Sequence, residues 1–193
     1  MVVSSSTKYL GGHSDIVGGS IVIKENKEYA EKISFIQNAV GAVPSPFDCY
    51  LLTRSIKTLS VRMKQHNENA IAVSNYLSNH PKIEKVFFPG TDKRHKEIAE
   101  KQMDGFGGMM SFVIDSDING VKTFLKNLNL FTLAESLGGV ESLIEHPAIM
   151  THASIDPSIR EKLGISETLL RISVGIEDVD DLISDLDQAL SKI

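Results

Sequence analysis

Apolar residues recur at helical spacing in three stretches of this chain and gather into short runs between them. The clearest stripe lies at the carboxyl end, where Val179, Leu182, Ile183, Leu186, Leu190 and Ile193 share one face. Acids crowd its first turn and Lys192 sits at its end, as the helix dipole favours. Tyr29, Ala30, Ile33, Ile36 and Val40 predict a helix over 27–39, stopped by Gly41-Ala42-Val43-Pro44-Ser45-Pro46. Leu51, Leu52, Ile56, Leu59, Met63, Ile71, Val73 and Leu77 predict a long helical region over 47–77, irregular around His66-Asn67. From residue 83 the rhythm shortens. Strands are predicted at 83–88, 107–114, 130–134 and 169–174, and helices at 93–103, 118–128 and 157–163. The segment 145–151 is apolar but loop-like, broken by Pro147. Near the amino end, Val2-Val3 read as a strand end and 16–23 as a buried strand whose paired glycines mark a close backbone approach.

Strands alternating with helices predict an α/β sandwich over 83–193. The preceding 1–82 offers a strand end, one strand and two helices, too little to close a core. The expectation is an α/β chain of two parts, 1–82 and 83–193, that starts within a domain.

Charge and composition remove several functions. A formal net charge of −5 argues against nucleic acid as a partner. The densest basic group, Lys93-Arg94-His95-Lys96, is followed by Glu97 and Glu100 and reads as a solvated face. No apolar run approaches the roughly 18 residues of a membrane span, and the first residues lack the basic and apolar regions of a signal peptide. Cys49 is the single cysteine, so no internal disulfide forms; this suits a reducing, cytoplasmic setting.

The candidate chemistry starts at Lys8, in Val2-Val3-Ser4-Ser5-Ser6-Thr7-Lys8-Tyr9-Leu10-Gly11-Gly12-His13-Ser14-Asp15. Hydroxyls and turn N–H groups at a strand end suit a phosphate. A lysine beside them could neutralise it, form an imine with a carbonyl, or stand solvated in a polar loop. Ser5-Ser6-Thr7-Lys8 also matches S-x-x-K, but the companion motifs of an acyl-serine enzyme are missing. His146 and His152 lie across Pro147 without the spacing of metal ligands, so no metal is expected. Arg171 interrupts the apolar run 169–174, where an unpaired guanidinium would be costly. It is either paired with a carboxylate of the chain or placed to clamp a substrate carboxylate. Glu135-Ser136 stands at another strand end, before Gly138-Gly139.

Ser5-x-Thr7-Lys8-Tyr9-x-x-Gly12-His13-Ser14-Asp15 resembles the lysine motif of the pyridoxal-phosphate enzymes of sulfur amino acid metabolism. Residues 41–50, 134–139, 147–154 and 170–175 resemble the same family in the same order, so the likeness runs along the whole chain. Within the family it is nearest to the cystathionine γ-lyases and then the γ-synthases. The resemblance implies the carboxyl-terminal half of a fold-type-I protein: the remainder of a large cofactor domain, then a smaller α/β domain. It implies pyridoxal 5′-phosphate on Lys8, with Ser5 and Thr7 at its phosphate. Arg171 would hold the substrate α-carboxylate, with Ser136 supporting that pocket and Thr151 helping to place Arg171. Glu135 would face the far amino-acid end of a long substrate. Leu137 stands where related β-lyases tend to carry tryptophan. The implied reaction is α,γ-elimination of cystathionine in trans-sulfuration, by a cytoplasmic homo-oligomer, a tetramer in full-length form; the alternatives are γ-synthase or methionine γ-lyase activity, or an inactive half-length chain that only binds partner chains. The family's ring-stacking tyrosine, its aspartate for the pyridine nitrogen and its glycine-rich phosphate turn have no counterpart in these residues. Nor does the tyrosine–arginine pair that a neighbouring subunit would supply.

Overall fold

The computed structural model describes residues 1–91 and 96–193. The basic group predicted at 93–96 and the start of the helix predicted at 93–103 therefore lie mostly outside the described residues. The chain divides into two compact units, Met1–Leu59 and Ser60–Ile193.

In the first unit, β1 (Val2–Ser5) pairs antiparallel with β2 (Gly19–Val22), Val2 opposite Val22 and Ser5 opposite Gly19. The buried strand expected over 16–23 is instead this short ribbon, and none of the β2 residues is buried. A single wide, π-type turn, Ser6–Leu10, follows β1. Helix α1 (Lys27–Val40) starts where Asn26 Oδ1 accepts the Tyr29 N–H at 2.9 Å. It stops at Gly41, whose φ of 75° is left-handed. Its apolar stripe is present, yet α1 buries none of its residues. Helix α2 (Pro46–Ile56) has Ser45 as its cap and proline in its first turn.

The long helical region predicted over 47–77 breaks at Lys57-Thr58, not at His66-Asn67. Lys57 and Thr58 donate three residues back, to Arg54 and Ser55, and this tightening ends α2. Helix α3 (Leu59–Ser78) then runs unbroken through His66. His66 is buried and donates from Nδ1 to the Val174 carbonyl at 2.7 Å. Asn69 donates to the Gly175 and Glu177 carbonyls, so α3 grips the segment after the last strand. Ala70, Val73 and Leu77 of α3 join the core of the second unit. The observed division thus falls before this helix, whereas the sequence pattern put it after, at 82.

The second unit is built on a five-stranded sheet with spatial order β3 (Ile83–Phe87), β4 (Met109–Ile114), β7 (Leu169–Ser173), β6 (Leu143–Glu145) and β5 (Thr132–Leu133). All neighbours are antiparallel except β5 and β6. Helices α4 (Lys96–Gln102), α5 (Ile118–Lys126), α6 (Pro157–Lys162) and α7 (Val179–Leu190) complete it. Alternation sorts the strands. Met110, Phe112 and Ile114 of β4, Ile144 of β6, and Leu170 and Ile172 of β7 share one core with Phe124 of α5 and Leu182, Leu186 and Leu190 of α7. Each such fully buried side chain contributes roughly 1.5–3 kcal/mol. The intervening residues, Ser111, Glu145 and Arg171, lie on the other face in register. Strand β6 was not expected from the sequence, whose loop-like segment, 145–151, begins at the strand's last residue.

A buried carboxylate locks α7 to the loop before β5. Asp185 accepts N–H bonds from Asn129, Leu130 and Phe131 at 2.8–3.1 Å. Burial pushes its carboxyl up, but these donors and the Gln188 amide outweigh burial and hold it below the ordinary carboxylate range. A depressed carboxylate stabilises the fold above its unfolded pKa of about 3.9, and that stability fades as pH falls through the folded value. Asp185→Asn should therefore cost about 2 kcal/mol at neutral pH. In urea unfolding the deficit should shrink in strong acid; a pH-independent deficit would assign the loss to packing.

Candidate active site

The Lys8 turn is formed by a backbone that abandons helical geometry at the lysine itself (φ −91°, ψ −136°). Lys8 is half-buried. Before it, Ser6 is buried and its N–H donates to the Gly18 carbonyl at 2.9 Å. The Thr7 hydroxyl accepts the Gly18 N–H at 2.9 Å and donates weakly to the Gly18 carbonyl at 3.3 Å. After it, Gly12 N–H returns to the Lys8 carbonyl at 2.7 Å. A Cβ on Gly11 would lie 2.6 Å from the Ser6 carbonyl oxygen, so the turn closes only around glycine there. His13 donates from Nδ1 to the Gly11 carbonyl at 2.7 Å and so braces the same turn. Ser5 is exposed at the end of β1. A cavity of about 350 Å³ lies beside Ser6, lined also by Ile16, Gly18, Pro44, Cys49 and Leu52; Ser5, Thr7 and Lys8 do not line it.

These residues fit one wall of a pyridoxal-phosphate site. The cofactor needs an amine for its aldehyde and donors for its phosphate. Lys8 supplies the first and the exposed Ser5 hydroxyl is a donor of the second kind; the Thr7 hydroxyl would become one by leaving its weak 3.3 Å bond to the Gly18 carbonyl.

The second group of candidates belongs to the second unit. Arg171 donates from Nη2 to Glu145 Oε2 across the β6–β7 pair at 2.6 Å. The two ends differ: the arginine side chain is 28% exposed and that of the glutamate 2%. Thr151 donates to the other glutamate oxygen, Oε1, at 3.3 Å, and its hydroxyl lies 2.8 Å from His152 Nδ1. Burial pushes the Glu145 carboxyl up; Arg171, Thr151 and His152 draw it down, Glu135 pushes it up again, and burial prevails. Glu135 is exposed and Ser136 half-buried on the loop after β5. That loop is pinned where Gly138 donates to Ser173 Oγ at 2.8 Å, two residues along β7 from Arg171. The second unit thus gathers Glu135, Thr151 and Arg171 around Glu145, and ties the Ser136 loop to the same strand. Lys8, Ser5 and Thr7 form the separate group in the first unit.

Glu145 is the residue that sequence reasoning missed. Its signal was the apolar pair Leu143-Ile144 just ahead of it, a strand too short for periodicity to register. His146, beside it, is fully buried and donates from Nε2 to the Glu167 carbonyl at 2.7 Å, a structural bond. Among the described residues no three His, Cys, Asp or Glu side chains are grouped to hold a metal, and no helix is long and apolar enough to cross a membrane.

The family model of the Cys/Met metabolism PLP-dependent enzymes matches residues 1–191. The chain belongs to that family. Its cofactor is pyridoxal phosphate. A cystathionine γ-lyase of Dictyostelium discoideum is 53% identical over 193 residues, all of this chain and 50% of that protein. A cystathionine β-lyase of Coxiella burnetii is 52% identical over 191 residues, covering 98% of this chain and 49% of that protein. The crystal structure of a cystathionine γ-lyase from Lactobacillus plantarum, complexed with L-serine, matches all of this chain with a TM-score of 0.92 at 44% identity, over 50% of its own chain. The chain therefore spans about half the length of the relatives it matches, and its fold is the corresponding half of theirs. Identity at this level does not separate γ-lyase from β-lyase relatives.

Proposed function

We propose that this chain forms the Lys8-bearing, substrate-carboxylate half of a pyridoxal-phosphate lyase acting on cystathionine, by α,γ-elimination to cysteine, 2-oxobutanoate and ammonia. The observation that carries the reading is the non-helical Lys8 turn flanked by hydroxyls, in a chain alike along its whole length to cystathionine lyases. When bound, the cofactor supplies an electron sink that acidifies the substrate's α-proton. The chain's own residues do the rest. Lys8 Nζ would hold the cofactor's aldehyde and would carry protons at the substrate's α- and β-carbons. Ser5 and Thr7 would hold its phosphate. Arg171, with donors beyond the one given to Glu145, orients the α-carboxylate, and Ser136 supports that pocket. Glu135, on the exposed loop after β5, faces the distal amino group of a long substrate.

The β-lyase relatives favour one alternative, elimination at the β-carbon, which would release pyruvate instead. The deciding experiment supplies the chain with the amino-terminal half of a relative and identifies the keto acid released from cystathionine. 2-Oxobutanoate supports the γ-lyase reading and pyruvate overturns it.

A further inference from the structure

Arg171 and Glu145 are not equal partners in their ion pair. Glu145 is buried on the sheet face that it shares with Arg171, and both its oxygens are committed, Oε2 to Arg171 and Oε1 to Thr151. Arg171 is partly open and has given one of its five N–H donors to Glu145. The register holds this arrangement in place: Glu145 and Arg171 face each other on adjacent strands, and Ser111 flanks the arginine on the other side. A free guanidinium on a four-bond stem would sample many rotamers, and each carboxylate bound would have to arrest it. One end clamped from below leaves a planar fork already aimed at the open face.

We propose that Glu145 is a positioning residue, which grips Nη2 of Arg171 from the buried side so that the remaining donors are set for a ligand carboxylate. Thr151 then acts on Arg171 only through Glu145, by fixing its second oxygen. The inference rests on Arg171 being the carboxylate site, as proposed above.

Two readouts test it. In the 193-residue chain, the guanidinium nitrogens of Arg171, assigned by their loss in Arg171→Lys, should give separate Nη resonances because rotation about Nε–Cζ is blocked. Glu145→Gln should merge them, and Glu145→Asp, which keeps the charge but withdraws it, should broaden them. If all three forms give the same spectrum, Glu145 does not hold the arginine. In the enzyme completed with an amino-terminal half, Glu145→Gln should raise KM by about tenfold, the worth of one charge-assisted hydrogen bond, with kcat within about twofold. Glu145→Asp should fall between and serves if the Gln variant does not fold. An unchanged KM with altered resonances would make the pair purely structural and overturn the proposal. Should Arg171→Lys also leave KM unchanged, the carboxylate reading of Arg171 itself has failed.

Discussion

Purified by itself, the 193-residue chain should show no absorbance from bound cofactor and release no 2-oxobutanoate from cystathionine. Its first unit is the reason. Lys8, Ser5 and Thr7 offer one wall, and no carboxylate is assigned to pair with the pyridine nitrogen. Without such a partner the cofactor's electron sink is weak. Imines in open water also hydrolyse unless a pocket holds them. The unit's own packing points the same way. A two-stranded ribbon is marginal alone, and here Val2, Val3, Ile21 and Val22 are exposed on it. Helix α1 buries nothing, leaving Phe35, Ile36 and Val40 open. Apolar area of this kind seeks a cover. Adding the matching amino-terminal half should therefore restore both absorbance and turnover, by orders of magnitude over the chain alone. Robust turnover without it would show that the half-site account is wrong.

Arg171→Lys should raise KM for an amino-acid substrate by about tenfold to a hundredfold in the completed enzyme while cofactor binding persists. Lysine keeps the positive charge but replaces a fork by a point. It can answer Glu145 or the ligand carboxylate, and only poorly both. The buried glutamate would keep its counter-ion, so the variant should fold. Steady-state kinetics together with a cofactor titration check this. A misfolded variant, or one with unchanged KM, would make Arg171 a structural partner of Glu145 and nothing more.

Arg171 also marks the limit of what the sequence could tell. An arginine inside an apolar run poses a choice between a structural pair and a substrate clamp. Alternation alone puts Leu170 and Ile172 on the core face and Arg171 on the other. Its partner stayed hidden because β6 is three residues long, ahead of Pro147, and its register with β7 is set by long-range pairing. The stop of α1 at Gly41-Ala42-Val43-Pro44-Ser45-Pro46 was legible because glycine and proline act locally. The break at Lys57-Thr58 has no glycine or proline to announce it. Ile21 and Val22 show a different limit: an apolar strand pattern says which residues suit burial, not whether a layer covers them. The Lys8 motif was legible as residue types, whereas the closure of its turn on Gly18 emerged only in three dimensions.

The most direct test of the whole account is to reduce the cofactor-loaded two-half assembly with borohydride and map the labelled peptide. The account predicts a single pyridoxyl adduct, on Lys8. An adduct on Lys24 or Lys57, with Lys8 unlabelled, would contradict it.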